Sequence, residues 1–248
     1  MMGRQPAGDL LVVAETYPLL QAAGLTSLQA VLAFDGGVRI CHKRGRSVYR
    51  LEIGERAFYL KRNRLHRVEF WKGLSRLRLP RREAQREWEN IQAVHAAGIP
   101  TVTPVAMGEQ TFFGLEAASF LLTEELYGAE PLDLIIRRRF LAAGDPARHR
   151  EKRQIIRRLA TLARQLHGSG MNHQDFYLNH FFLDPHGVLY LLDLQRIQRR
   201  PRVPRRYLVK DLGQLNYSAL SIGGFSRTDR LRFLLAYLGT ERPGGEGR

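Results

Sequence analysis

Residues 173–193 read HQDFYLNHFFLDPHGVLYLLD, and their pattern is the most informative in the sequence. Its apolar segments, Phe181–Leu183 and Val188–Leu192, flank a D-P-H-G turn in which proline fixes φ and glycine permits a positive φ. Two apolar segments joined by such a turn predict a β-hairpin. One carboxylate precedes the hairpin and one follows it, Asp175 and Asp193. Because the two ends of a hairpin lie side by side, we expect both carboxylates to reach one small region.

Two neighbouring carboxylates suit phosphoryl transfer, since one can accept a proton while the other binds Mg²⁺. The order of residues is similar to the catalytic loop of protein kinases, H-R-D-x-x-x-x-N, followed by a hairpin and D-F-G. Here His173-Gln174-Asp175 stands for H-R-D, His180 stands at the asparagine, and Asp193-Leu194-Gln195 stands for D-F-G. The alternative is a surface hairpin with two solvated aspartates.

Composition limits the class of protein. A chain of 248 residues can bury a sizeable core, and its single cysteine, Cys41, excludes an internal disulfide and a multi-cysteine zinc site. The N-terminus does not have the pattern of a signal peptide, and no apolar stretch approaches the length of a transmembrane helix. We therefore expect a soluble, cytoplasmic protein.

Charge is the strongest compositional feature. The chain has 39 Lys and Arg residues against 24 Asp and Glu, a net charge of +15. Such an excess predicts an anionic partner, which is nucleic acid, an anionic membrane or a highly phosphorylated substrate. A merely solvated basic surface is the alternative.

The N-terminal half predicts a helical lead-in and an antiparallel sheet. Asp9–Ala33 has a helical pattern, with a capping box formed by Thr26 and Gln29. A basic turn at Lys43–Arg46 lies where a kinase covers the nucleotide phosphates, and its side chains and backbone N–H groups could contact phosphate. The five predicted strands are Val38–His42, Ser47–Ile53, Ala57–Lys61, Thr101–Gly108 and Ser119–Glu125.

Lys61 ends the third of these strands, as does the lysine that binds the nucleotide phosphates in protein kinases. The next predicted helix, Glu83–Ala97, offers Glu83, Glu87 and Glu89 as ion-pair partners. Glu87 has the position of the glutamate that orients this lysine in kinases. The alternatives are a solvated lysine and a glutamate that pairs with nearby arginines.

Two stretches are rich in arginine. Residues 62–82 mix basic with aromatic and aliphatic side chains, which suits an anionic membrane surface, a nucleic-acid backbone, or an ordinary solvated helix. Residues 196–210 lie in the position of a kinase activation segment and include Arg199, Arg200 and Arg202. Because the arginine fork binds phosphate bidentately, these three are predicted to bind a phosphorylated acceptor. An exposed loop is the alternative.

The C-terminal half is predicted to be mainly helical, with a disordered tail. Its helices are predicted at Leu132–Ala143, Glu151–His167, Tyr207–Ser221 and Arg227–Leu238, and its tail at Glu241–Arg248.

The chain resembles the lipopolysaccharide core kinases, a family of heptose and Kdo kinases with a protein-kinase-like fold. The resemblance spans roughly residues 30–240. The motifs that carry it are Tyr59-Leu60-Lys61, Arg86-Glu87-Trp88, Gly98-Ile99-Pro100-Thr101, Leu166-His167, Asn172-His173-Gln174-Asp175, His180-Phe181, Leu192-Asp193-Leu194 and Lys210-Asp211-Leu212.

The resemblance implies an α+β, bilobal fold: an N-terminal ATP-binding lobe with a sheet and an αC-type helix over 1–124, and a mainly helical catalytic lobe over 125–240. It implies ATP-dependent, magnesium-assisted transfer of phosphate to a sugar hydroxyl of the lipopolysaccharide inner core, at the cytoplasmic face of the inner membrane.

The resemblance also assigns roles. Asp175 becomes the catalytic base, Asp193 the Mg²⁺ ligand, and Lys61 the phosphate-binding residue held by Glu87. His180 stands at a metal-ligand position, although magnesium prefers oxygen, so orienting a substrate phosphate is its alternative role. Because Gln174 replaces the arginine of H-R-D, we expect no regulation by activation-loop phosphorylation.

Two other functions stay open at this point. One is a kinase of another small molecule or of protein. The other is a non-catalytic basic adaptor that binds an anionic membrane or nucleic acid. The presence of all four kinase positions argues against the adaptor, and nucleic acid is not the expected partner.

Overall fold

The computed structural model describes residues 4–7, 10–43, 45–64, 83–112, 115–141 and 146–240. The chain divides into two compact units. The first comprises Met1–Gln92 and Val102–Leu126, and the second comprises Ala93–Thr101 and Tyr127–Arg248. The basic stretch over 65–82, Arg44 of the basic turn and the predicted tail over 241–248 lie outside the described residues.

The described part of the first unit is built on one antiparallel sheet. Its strands are β1 (Arg4–Ala7), β2 (Leu10–Val13), β3 (Val38–Lys43), β4 (Arg46–Ile53), β5 (Arg56–Arg64), β6 (Pro104–Phe112) and β7 (Leu115–Glu124), in the order β1-β2-β6-β7-β5-β4-β3. Its helices are α1 (Tyr17–Ala22) and α2 (Leu28–Ala33), and α3 (Glu83–Ala96) begins in it. The five predicted strands are confirmed as β3 to β7.

The prediction of a helical lead-in over Asp9–Ala33 is wrong in its first part. Leu10 to Val13 form β2, which pairs with β6, so the described sheet has seven strands rather than five. Leu10 and Val12 are buried on one side of the strand, and the valines favour an extended backbone. The predicted capping box is also misplaced, because Ser27 and not Thr26 caps α2, with its hydroxyl accepting from the Ala30 N–H at 3.1 Å.

Helices α1 and α2 pack on one face of this sheet. The buried cluster there includes Leu20, Leu28, Val31, Phe58, Leu60, Phe120 and Leu122. Side chains alternate between the faces of a strand, so Phe58 and Leu60 point into this core and Lys61 points to the opposite face. The alternation therefore fixes which face of β5 carries the charged residue.

Arg62 and Arg64 have a structural role that their place in a basic stretch does not predict. The Arg62 guanidinium donates to the carbonyls of Leu32 at 2.9 Å and Phe34 at 2.7 Å, and Arg64 donates to Leu32 at 2.8 Å. Both arginines thus satisfy carbonyls at the C-terminal end of α2. Arg62 is buried and stacks on Tyr49 at 4.2 Å, so it does not belong to an exposed membrane or nucleic-acid surface.

The second unit is mainly helical, as predicted. Its helices are α4 (Leu132–Phe140), α5 (Pro146–Gly168), α6 (Arg205–Ile222) and α7 (Arg227–Leu238). Its short strands are β8 (Glu130–Pro131), β9 (Met171–Asn172), β10 (Phe181–Leu183), β11 (Leu189–Leu191) and β12 (Gln198–Arg199). Helix α5 begins at Pro146, earlier than the predicted Glu151. None of the described helices is both long and apolar enough to cross a bilayer.

The predicted hairpin is confirmed. Strand β10 pairs with β11, with Phe181 opposite Leu191, and β8 pairs with the other edge of β10. A second small ladder joins β9 to β12. Gly170 lies directly before β9; its φ is +76°, and a Cβ there would collide with the carbonyl oxygen of Arg200. Only glycine fits there, and the ladder fixes the chain directly before residue 173.

Candidate active site

The backbone of the loop that carries Asp175 is held by a buried aspartate. Asp211, on α6, is fully buried. Its carboxylate accepts the N–H of His173 at 2.7 Å and the N–H of Gln174 at 2.9 Å. A carboxylate that accepts two backbone N–H groups fixes the direction of the chain at both residues.

Other residues on the same face of α6 hold the rest of the loop. Gln214 accepts the N–H of Phe176 at 3.0 Å and donates to the carbonyl of Gln174 at 2.7 Å. Ser218 accepts the N–H of Leu178 at 3.1 Å. Positions 211, 214 and 218 share one face because an α-helix has 3.6 residues per turn. Sequence reasoning missed Gln214 and Ser218, although their spacing from Asp211 was a usable signal.

Two residues of the site have a left-handed backbone. Gln174 has φ 72° and Asp193 has φ 57°, and no other non-glycine residue in the described ranges has a positive φ. Such conformations persist only where the surroundings enforce them, and they cluster at functional sites. The strained backbone at Asp193, and at Gln174 next to Asp175, is therefore a second indication that both predicted carboxylates belong to a functional site.

His173 joins the loop to the end of the hairpin. The ring is completely buried, and its Nε2 lies 3.0 Å from the carbonyl oxygen of Leu192. A carbonyl only accepts, so Nε2 carries the proton. Burial lowers the pKa of His173, so the ring is neutral at neutral pH. The bond fixes the residue directly before Asp193.

His180 connects the two predicted carboxylate residues. Its Nδ1 lies 2.7 Å from the carbonyl oxygen of Asp175, and its Nε2 lies 3.7 Å from Oδ2 of Asp193. Since the carbonyl must accept, Nδ1 carries the proton. In a neutral ring the Nε2 lone pair then faces the Asp193 carboxylate. The ring nitrogen and the carboxylate repel each other unless a proton or a cation lies between them. This arrangement therefore fits a cation site.

The side chain of Asp175 is paired with an arginine that was not singled out from the sequence. Nη1 of Arg196 donates to both carboxylate oxygens, at 2.8 and 2.9 Å. Arg196 lies in a short 3₁₀ helix directly after Asp193, and Gln174 donates from its amide nitrogen to the Arg196 carbonyl at 2.9 Å. Gln174 therefore ties the loop to the following segment through a neutral hydrogen bond.

In the first unit, Lys61 and Glu87 form the predicted ion pair. The Lys61 ammonium lies 2.7 Å from Oε1 of Glu87, whose side chain is 7% exposed. Trp88 and Ile91 on the same helix are buried and anchor this part of α3. Glu83 pairs instead with Arg46, at the end of the basic turn. Of the three candidate glutamates, Glu87 is therefore the partner of Lys61.

The three predicted acceptor-binding arginines differ in their surroundings. Arg200 donates to Asn172 at 2.5 Å and stacks on Tyr207 at 4.4 Å, so its guanidinium supports the chain around β9. Arg199, in β12, and Arg202 are exposed. Among the residues that the structure describes, no group of three or more His, Cys, Asp or Glu side chains forms a ready-made metal cluster.

Comparison with known proteins identifies the family. Residues 43–237 match the model of the lipopolysaccharide kinase (Kdo/WaaP) family. The chain belongs to this family. The lipopolysaccharide core heptose(I) kinase WaaP of Pseudomonas aeruginosa is 35% identical over 238 residues, covering 92% of this chain and 85% of the relative. The enzyme of that name from Escherichia coli K12 is 34% identical over 204 residues, covering 78% of this chain and 75% of the relative.

A solved structure of a family member has the same fold. WaaP in complex with acyl carrier protein superimposes with a TM-score of 0.72 at 31% identity, covering 92% of this chain and 88% of that chain. The α+β, protein-kinase-like fold predicted from the sequence is confirmed. As a member of this family the protein is a kinase and a transferase that uses ATP.

Proposed function

We propose that the protein phosphorylates a heptose of the lipopolysaccharide inner core, with ATP as the donor. The observation that carries the proposal is the meeting of Asp175 and Asp193 at His180, on a loop held by buried Asp211. The relatives named above are heptose(I) kinases. Kdo is the alternative acceptor sugar, and an assay with defined core sugars separates the two.

Asp175 is the proposed catalytic base. Its carboxylate takes the proton of the acceptor hydroxyl as the hydroxyl oxygen bonds to the γ-phosphorus. The bond from that phosphorus to the β,γ-bridging oxygen breaks, and ADP leaves with the electron pair. The Lys61 ammonium, directed by Glu87, neutralises charge on the nucleotide phosphates. The rate enhancement comes mainly from positioning and charge neutralisation.

Asp193 and His180 are the residues proposed to hold Mg²⁺. The Asp193 carboxylate is 46% exposed and faces Nε2 of His180. A cation bound between these two acceptors would stabilise their arrangement. When bound, the ion supplies neutralising charge to the phosphate oxygens. Bound phosphates and water would complete its oxygen-rich ligand set.

The acceptor side is proposed to recognise an anionic glycolipid at the cytoplasmic face of the inner membrane. Arg199 and Arg202 are exposed and can bind phosphate or carboxylate groups, with Arg200 positioning the segment between them. The net charge of +15 favours peripheral association with an anionic bilayer.

The test is ATP consumption with a lipopolysaccharide-core acceptor and Mg²⁺, comparing wild type with Asp175→Asn and Asp193→Asn. We expect acceptor-dependent turnover to fall by at least about a hundredfold in both variants. Asparagine is chosen because it tolerates the left-handed backbone of Asp193. Full activity in Asp175→Asn would remove that residue as the base, and no transfer to any core sugar by wild type would remove the acceptor assignment.

We further propose that an acyl carrier protein is a partner, since the related WaaP was solved in complex with one. The observation that favours it is an apolar cavity of about 500 Å³ between α5, α6 and α7, lined by residues that include Leu159, Leu178, Leu212, Ala219, Phe225 and Leu234. An acyl chain delivered by the carrier suits such a cavity.

Filling the cavity tests the carrier proposal. Ala219→Trp is expected to abolish stabilisation of the protein by acylated carrier in thermal unfolding. Thr161→Trp, which adds the same side chain at an exposed position of α5, is expected to retain it. Equal stabilisation of both variants would contradict the assignment of the cavity.

A further inference from the structure

The ion pair between Arg196 and Asp175 conflicts with the proposed role of the aspartate as a free base. One guanidinium nitrogen, Nη1, contacts both carboxylate oxygens, at 2.8 and 2.9 Å. An acceptor hydroxyl must reach one of these oxygens to give up its proton. While Arg196 lies over both oxygens, the position that the hydroxyl needs is covered.

The side chain of Arg196 can leave while its backbone stays. The flanking residues Leu194 and Ile197 are each 1% exposed, and the amide of Gln174 holds the Arg196 carbonyl. The Arg196 side chain itself is 58% exposed. A rotation about the side-chain torsions therefore moves the guanidinium without disturbing the segment after Asp193.

The pair is also weak enough to exchange partners. The Asp175 side chain is 23% exposed, but the guanidinium side of the pair is open to solvent, so water replaces the contact when Arg196 leaves. Arg196 has no other side-chain partner among the described residues, and its Nε and Nη2 make no hydrogen bond to them. A phosphate that engages two guanidinium nitrogens at once binds better than a carboxylate held by one.

We propose that Arg196 selects the acceptor by exchanging partners. Without an acceptor it covers Asp175. An acceptor with a phosphate or carboxylate group near the reacting hydroxyl takes the guanidinium, and this uncovers the Asp175 carboxylate. The inference rests on the proposed function of Asp175 as the base. It makes Arg196 a specificity-determining residue, since a neutral sugar of the same shape cannot draw the guanidinium away.

The test compares wild type with Arg196→Gln and Arg196→Lys in three reactions. The first uses the intact core acceptor. The second uses acceptors from which the phosphates have been removed by phosphatase, or in which the carboxylates have been reduced to alcohols, so that the two anionic groups are distinguished. The third is ATP hydrolysis without acceptor, in which water replaces the hydroxyl. Arg164→Ala, which removes an exposed arginine from α5, is the matched control.

For Arg196→Gln we expect kcat/KM with the intact acceptor to fall about tenfold or more, the loss expected for one charge-assisted contact. With the modified acceptor that lacks the relevant anion, kcat/KM should change less than about twofold or rise. Acceptor-free ATP hydrolysis should rise severalfold, because Asp175 is uncovered. Arg196→Lys should restore part of the discrimination, since it keeps the charge but not the fork.

Two results would overturn the inference while Asp175→Asn remains inactive. One is an equal loss with anionic and neutral acceptors, which is what a purely structural role for Arg196 predicts. The other is unchanged discrimination in Arg196→Gln. Retained transfer by Asp175→Asn is a different outcome, because it removes the proposed base itself.

Discussion

His180 distinguishes this site chemically from a site with the asparagine of protein kinases. A ring nitrogen replaces an amide oxygen beside Asp193, at 3.7 Å. Imidazole is a better ligand for Mn²⁺ than for Mg²⁺, which prefers oxygen. The residue is therefore expected to influence which cation serves the reaction.

His180→Asn is predicted to keep activity with Mg²⁺ and to have lower activity with Mn²⁺ than wild type, because an amide oxygen replaces the nitrogen. His180→Ala should weaken metal binding and lower turnover about 10–100-fold, as loss of a metal-site residue commonly does. Titration of Mn²⁺ by electron paramagnetic resonance measures binding apart from turnover. Wild-type Mn²⁺ affinity in His180→Ala would exclude the residue from the metal site.

Glu87 has one carboxylate oxygen on Lys61, and the other, Oε2, is buried without a hydrogen-bond partner among the described residues. Glu87→Gln should lower kcat/KM for ATP by about tenfold, because the neutral amide directs the ammonium less well. Glu83→Gln, on the same helix but paired with Arg46, should stay close to wild type. Steady-state kinetics at varied ATP concentration measures kcat/KM for both variants. An equal fall in the two variants would contradict the assignment of Glu87 as the residue that orients Lys61.

At the scale of elements, helix α6 holds the loop that carries Asp175. Asp211→Ala leaves the N–H groups of His173 and Gln174 without their acceptor. We predict a fall of about 2–5 kcal/mol in the free energy of unfolding, together with loss of activity. Ser218→Ala removes a single bond on the same helix face and should lose about 1 kcal/mol. Urea unfolding measures both losses, and equal losses would show that Asp211 contributes no more to the loop than Ser218.

In the first unit, Arg50 on β4 donates two hydrogen bonds to the Glu125 carboxylate, from Nε to Oε1 and from Nη2 to Oε2, each at 2.8 Å. The Tyr59 hydroxyl donates to the same carboxylate. The hydrogen bond from Arg50 lowers the pKa of Glu125. The stabilisation is therefore present above the unfolded-state pKa and is lost as pH falls through the lower folded-state pKa. The Tm of Glu125→Gln should lie below that of wild type at neutral pH and approach it in acid. A constant Tm difference would contradict this.

Turn residues and helical periodicity predicted the secondary structure that neighbouring residues determine. Features that depend on contacts between distant parts of the chain were not predicted. The hairpin at 181–191 and helices α4 to α7 follow from turn chemistry and helical periodicity. Strand β2 was missed because its partner β6 lies far along the chain and its local partner β1, with the sequence RQPA, has no alternating apolar pattern. The capping role of Arg62 and the contact of Arg196 with Asp175 were missed for the same reason, since no spacing in the sequence reveals a partner so remote.

The candidate site was predictable to the extent that its residues form an ordered motif. Asp175, His180 and Asp193 meet in the second unit, and Lys61 meets Glu87 in the first, as the kinase order predicts. Arg200, predicted to bind the acceptor, also has structural contacts with Asn172 and Tyr207. The sequence does not show whether the guanidinium of an arginine in a basic stretch already contacts other residues of the protein.

At the scale of the whole molecule, the net charge of +15 predicts salt-sensitive membrane association. Binding to vesicles with anionic headgroups should weaken steeply between about 50 and 200 mM salt, because counterions screen each contact. Vesicles of zwitterionic lipid are the control and should bind little. Sedimentation with vesicles measures both, and binding that is insensitive to salt would contradict an electrostatic mechanism.

The hydrogen bond from the Gln174 side-chain amide to the Arg196 carbonyl also bears on how the cell controls this enzyme. This contact carries no charge and no phosphate, so neither a kinase nor a phosphatase changes it. We therefore expect no inactive form of the enzyme that waits for phosphorylation of this segment. The rate of phosphorylation in the cell would then follow the amount of enzyme that is made and the supply of acceptor glycolipid.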